Sequence, residues 1–170
     1  QQFTGKRSPS VTTVRSAADK ATGKIKAMEA DGIVDHGPYS EFGDLLTLRG
    51  AQYIGAGYGI ENIRGLGKTV CTNHGWGAAF RGYGAPESEF ASEVLIDELA
   101  EKLGMDPLEL RAVNCYKPGD TNPSGQAPEV FSLPDMIDIM RPTFKAAKEQ
   151  AAANYPDTVT RGVGVAIGIY

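Results

Sequence analysis

The residues best placed to do chemistry lie between Gly75 and Pro86, in the run GWGAAFRGYGAP. Glycines flank Phe80-Arg81 on both sides, and the chain then enters a strongly amphipathic stretch. A glycine-rich loop feeding a helix N-terminus offers free backbone amides and the positive end of a dipole to an anion. Arg81 adds a permanent positive charge on a planar fork of donors. Phe80 and Tyr83 supply apolar walls. Together these suit an oxyanion-rich group held with its reactive end in a small apolar chamber. The same residues also make an ordinary wide turn with a salt-bridged arginine, and chemistry alone leaves both readings open.

Other motifs carry less. Gly65-Leu66-Gly67-Lys68-Thr69 ends like a phosphate-binding P-loop, but Asn62 stands where that pattern needs its first glycine. The β-prone Val70-Cys71-Thr72 follows in place of a helix, so the segment reads as a glycine-bearing strand. Cys71-x-x-His74 is half of a metal site, and His36 and Cys115 stand alone as further ligands. The spacing favours two ordinary buried thiols. The sequence has neither a Gly-x-Ser-x-Gly elbow nor a His-Glu-x-x-His motif. Carboxylates such as Glu41 and Asp44 read as solvated surface.

The elements that must position the loop are legible from periodicity. Ser10 to Ala17 and Lys24 to Val34 read as a hairpin turned by Lys20 to Gly23. Phe42 to Tyr53 reads as a short helix, and Ile60 to Thr72 as extended chain. Pro86 opens a helix with an apolar stripe of Phe90, Ala91, Val94, Leu95, Leu99 and Leu103, stopped by Gly104. Asp106-Pro107-Leu108-Glu109 is a capping-box start for a helix to about Asn114. Lys117 to Pro128 is a Pro/Gly-rich crossing. Ser132 to Asp135 starts a third helix in the same style, expected to kink or break near Pro142. Val159 to Tyr170 reads as a closing strand. The fold class is α+β, a mixed sheet-and-helix piece with its most irregular backbone in the middle.

Bulk properties narrow the function classes. The chain has 170 residues, 41% of them hydrophobic, which is enough for a buried core. Its formal net charge is -4 and it has no basic stripe, which argues against nucleic acid. No apolar run has the length of a membrane span, and Gln1 to Lys6 do not resemble a signal peptide. Two cysteines suit a reducing compartment, so a cytoplasmic location is expected. Without an initiator Met, and with a final strand that stops abruptly, the chain reads as part of a longer protein.

Ala79 to Pro86 resembles the Phe-Arg-Gly-Phe/Tyr-Gly-x-Pro signature of the xanthine oxidase family of molybdenum hydroxylases. Leu103 to Arg111 followed by Asn114 resembles the family's next block, and Ile63-Arg64-Gly65 and Thr72-Asn73 also fit. Asp35 to Leu46 and Gly119 to Pro123 are most similar to the aldehyde oxidoreductases of sulfate-reducing bacteria. The resemblance implies a fragment of a large molybdopterin-binding domain, with residues 1-128 in a first molybdenum-binding domain and 129-170 opening a second. It implies a molybdopterin cytosine dinucleotide carrying molybdenum, with [2Fe-2S] clusters in upstream domains. Ala79, Phe80, Arg81, Gly82 and Tyr83 map onto the loop beside the cofactor, with Arg81 the catalytic-site residue beside the metal. Phe42, Leu45 and Tyr83 map onto the walls of the substrate channel. None of these is a metal ligand, and the family's general base, a glutamate, maps beyond Tyr170. Glu87 departs from the pattern, standing where the family usually has Gln.

The implied function is oxidation of a small aldehyde to a carboxylic acid with water, passing electrons to an acceptor protein. The intact protein is expected to be a homodimer independent of membranes. Two alternatives are a purine or other N-heterocycle hydroxylase of the same family, and a non-catalytic scaffold fragment. The isolated chain is expected to be inactive, because the base and the redox relay lie outside it.

Overall fold

A computed structural model describes residues 7-39, 42-153 and 158-169. Strand β1 (Ser10–Ala18) pairs antiparallel with β2 (Ile25–Gly37), as the alternation predicts. Asp19 turns the hairpin: its Oδ1 accepts from the amides of Ala21 and Thr22 at 3.0 and 2.8 Å. Helix α1 (Gly43–Tyr53) follows and returns the chain to β3 (Asn62–Cys71), which pairs parallel to β2. The sheet order is therefore β1-β2-β3 with β2 central. Its outer face carries a register-matched charge row: Arg15 and Arg64 both lie opposite Glu29. Its inner face buries Met28, Ala30 and Val34.

The segment that resembles a P-loop is part of β3. Gly65 and Gly67 serve packing there: a Cβ on Gly65 would lie 2.8 Å from the Ala51 carbonyl oxygen, and one on Gly67 would lie 2.4 Å from Thr47 Cγ2. The glycines let α1 lie directly on the strand.

Helix α2 (Ala85–Leu103) and α3 (Pro107–Asn114) begin and end where their capping residues require. The Asp106 side chain accepts from Leu108 and Glu109 amides at 2.8 and 3.3 Å. Buried Asn114 joins α3 to the hairpin, donating to Gly23 O at 2.9 Å and accepting from Ile25 N at 2.8 Å. Helix α4 (Leu133–Ala151) packs Ile137 and Phe144 into the same core.

Three expectations need correction. The buried face of α2 is Ala85, Ser88, Ser92, Glu93, Ile96 and Ala100, whereas Phe90 and Val94 are exposed. Leu95, Leu99 and Leu103 only border the core. The polar members of the true face are buried because each has a partner: Ser88 Oγ donates to Gly50 O, and Ser92 Oγ accepts from Gly55 N. Second, α4 runs unbroken through Pro142, and Ser132 makes no side-chain cap. Third, residues 158-169 form no strand; the amides of Ile167 and Ile169 are held by helix side chains instead. Tyr170 lies outside the described residues, as does Glu41.

Candidate functional site

The loop before α2 is tied down at both ends. Upstream, Gly77 N donates to His36 O at 3.0 Å, and a Cβ on Gly77 would lie 1.9 Å from Ser8 Oγ. Downstream, Gly84 caps α2 in the left-handed region at φ 94. A Cβ there would lie 2.4 Å from the Leu46 carbonyl oxygen, so α1 and α2 meet backbone to backbone. Between these anchors the chain turns tightly twice: Tyr83 N donates to Phe80 O at 2.8 Å and Ala85 N to Gly82 O at 3.0 Å. Tyr83 itself has φ 48, an uncommon backbone for a bulky side chain. Positive-φ residues cluster where a site over-determines the backbone.

Arg81 projects from the outside of these turns and is exposed. Among the described residues its guanidinium has no acidic partner, unlike the salt-bridged arginine of an ordinary turn. With Gly82, Ala85, Pro86 and Glu89 it lines one side of an open cleft of about 560 Å³. Gly168 and Ile169 complete its lining from a distant part of the chain.

That distant segment depends on α2. Ile169 N donates to Glu89 Oε1 and Ile167 N to Glu93 Oε2, both at 2.9 Å. Glu93 is held in turn by buried Arg111, whose Nε and Nη2 reach it at 2.9 and 2.7 Å. The Tyr58 hydroxyl donates to Glu93 as well. Burial, and next the Glu93 charge, push the Tyr58 phenol far above its ordinary range, so it remains a donor. Burial also raises the Glu89 carboxyl.

The structure places the expected site residues unevenly. Arg81 and Gly82 line the cleft, while Ala79, Phe80 and Tyr83 belong to the same loop but do not line it. Phe42 is the N-cap of α1 and Leu45 lies in its first turn; both are about half exposed, at 43% and 49%. Tyr83 follows beside the same helix, because its neighbour Gly84 rests on the Leu46 carbonyl. Glu87 is not a free solvent charge: Arg7 Nη1 donates to its Oε1 at 2.8 Å. Sequence reasoning missed Arg7, Glu89, Glu93 and the Ile167 to Ile169 segment.

The half metal site does not assemble. No cluster of His, Cys, Asp and Glu able to hold a metal occurs among the described residues. The expectation of two buried thiols holds for Cys115 only; Cys71 is exposed. His74 Nδ1 instead pairs with Asp35, which also accepts from Thr72 Oγ1 at 2.6 Å. The Thr72 hydroxyl first, and then His74, hold the Asp35 carboxyl down at about 2.

A family model for the molybdopterin cofactor-binding domain matches residues 1–115. The chain belongs to that family. Across all its 170 residues this molybdopterin-binding chain is 69% identical to the aldehyde oxidoreductase of Megalodesulfovibrio gigas, spanning 19% of that protein. It is 37% identical over 118 residues, or 69% of the chain, to a probable xanthine dehydrogenase component of Bacillus subtilis, spanning 16% of it. The solved aldehyde oxidoreductase of Desulfovibrio desulfuricans superposes with a TM-score of 0.86 at 74% identity, over 89% of this chain and 17% of that one. The resemblance carried by Ala79 to Pro86 is thus matched over the whole chain, and its α+β architecture is a piece of a much larger molybdenum-binding domain.

The cleft suits such a cofactor. An arginine without an acidic partner among the described residues and a glycine-turned backbone are donors that suit a phosphate-bearing anion. The cleft also falls within the roughly 300-1,000 Å³ usual for small-molecule sites. Glu89 is the one acid on its lining among the described residues, and its Oε1 is already committed to Ile169.

Proposed function

We propose that this chain builds one wall of the molybdenum site of an aldehyde oxidoreductase, which converts an aldehyde and water to a carboxylic acid, two protons and two electrons. The observation that carries this reading is Arg81, which has no acidic partner among the described residues and is presented to the cleft by a glycine-turned loop, in a chain 69% identical to an aldehyde oxidoreductase. The bound cofactor, a molybdopterin cytosine dinucleotide with molybdenum, supplies the two-electron redox centre. Arg81 and the 79-83 backbone hold and orient its anionic part. Phe42, Leu45 and Tyr83 form the apolar walls of the channel that admits an aldehyde.

The intact protein passes its electrons through [2Fe-2S] clusters to an acceptor protein. It works as a cytoplasmic homodimer without membrane attachment. Residues 1-128 belong to a first molybdenum-binding domain and 129-170 to a second. No described helix is long and apolar enough to cross a membrane.

The test uses the full-length protein, treated with dithionite and sulfide as in the activated Desulfovibrio gigas enzyme. It should contain molybdenum and oxidise aldehydes in a dye-linked assay. Hydroxylation of a purine with no aldehyde turnover would favour the N-heterocycle reading, which similarity to a probable xanthine dehydrogenase keeps in view. Arg81→Ala should lower molybdenum content, or lower turnover by about a hundredfold, the scale on which one preorganised donor beside a reacting group acts. Wild-type rates at full loading would make Arg81 structural. The 170-residue chain alone should show no turnover, consistent with its scaffold role.

A further inference from the structure

Arg7 lies just before β1 and far from the loop in sequence, yet its guanidinium makes three contacts there. Nη1 donates to Glu87 Oε1 at 2.8 Å, and Nη2 donates to the Arg81 carbonyl oxygen at 2.8 Å. The guanidinium carbon stands 4.8 Å from the centre of the Phe80 ring. Its backbone has little freedom to leave. Ser8 Oγ is hydrogen-bonded to buried His36 Nδ1 at 2.7 Å, and Asp35 N donates to Pro9 O at 2.9 Å.

We infer that Arg7 is a positioning residue that fixes the orientation of the Arg81-Gly82 peptide, with Glu87 as its counter-ion. The inference rests on the proposed function of the Arg81 loop. A trans peptide points its carbonyl and the following N–H in opposite directions. Holding the Arg81 carbonyl toward Arg7 therefore turns the Gly82 N–H away from Arg7. Gly82 is part of the cleft lining, so the strap selects which side of this peptide carries a donor. Glycine would otherwise let the peptide flip.

The geometry also accounts for Glu87. A glutamine there would accept from Arg7 as a neutral amide, whereas the carboxylate adds a full counter-charge to the bond, with only 17% of its side chain exposed. Arg7 thus supplies the counter-charge of the added acid while it holds the Arg81 carbonyl. Only arginine can bridge a carboxylate and a carbonyl while its plane lies over a ring; lysine offers a single ammonium.

The experiment is hydrogen–deuterium exchange on the full-length protein, wild type against Arg7→Ala and Arg7→Lys. Arg7→Ala should speed exchange across residues 78-86 by about tenfold, the scale of one lost charge-assisted hydrogen bond, and leave α3 unchanged. Arg7→Lys should fall between, through its retained charge toward Glu87. Turnover per bound molybdenum should follow the same order, with lysine restoring part of what alanine loses. Wild-type exchange across 78-86 in Arg7→Ala would overturn the inference. If that variant fails to fold, wild-type exchange in Arg7→Lys overturns it instead. A wild-type protein that oxidises no aldehyde would defeat the functional reading alone, because the exchange comparison needs no turnover.

Discussion

Asp35 lies near the end of β2 and gathers Thr72 and His74 from the chain just after β3. Its carboxyl is held down at about 2, so the folded state favours its charged form. This stabilisation is present above the ordinary carboxylate range and is lost as pH falls through about 2. Thermal midpoints measured between pH 5 and pH 2 should fall for the wild type and fall less steeply for Asp35→Asn. Tyr58 makes a second residue-scale case. Tyr58→Phe removes one donor from Glu93, which keeps Arg111 and the Ile167 amide. Urea unfolding should show a loss of about 1.5 kcal/mol, as for a hydrogen bond to a charged group. At this scale the sequence reveals the part of the site whose residues are neighbours in the chain. Phe80, Arg81 and Gly82 announce themselves by local composition. Arg7 does not, because an arginine 74 residues from the carbonyl it binds leaves no local pattern.

The helices show where local rules suffice and where they fail. Gly84 and Gly104 bracket α2, and both are left-handed, at φ 94 and 66. Gly104 has nothing within 4 Å of a would-be Cβ, whereas Gly84 faces the Leu46 carbonyl. Gly104→Ala should therefore cost only backbone strain, about 1 kcal/mol. Gly84→Ala should cost about 3 kcal/mol or more, because strain combines with a backbone clash. Chemical denaturation of the two variants checks the order, and equal losses would contradict the α1–α2 contact. Starts and stops of α2 and α3 are readable because capping is local chemistry. The buried face of α2 is not, because Ser88, Ser92 and Glu93 are inside only through partners on α1, the Gly55 turn and α3. The 158-169 segment alternates in sequence as a strand does. Alternation cannot say whether the partner is a strand or, as here, a pair of carboxylates.

Taken whole, the molecule leaves large apolar side chains in solvent: Val11, Phe90, Val130 and Ile139 are each 72% to 73% exposed. The chain spans 19% of the Megalodesulfovibrio gigas enzyme it matches. The isolated 170-residue chain should therefore bind a hydrophobic dye strongly, and Phe90→Ser with Ile139→Ser should reduce the fluorescence. Unchanged dye binding in that double variant would mean these side chains are not the apolar surface. The carboxylates of α2 have a further consequence, for the order of folding. Glu89 and Ile169 are 80 residues apart, so the second wall of the cleft closes a long loop of chain. Such contacts bear their closure entropy before they return any stability. The Arg81 turn and α2 adjoin in sequence and can form early, whereas the cleft comes into being only when the distant segment reaches the helix. A cofactor that needs both walls therefore meets its site at the end of folding.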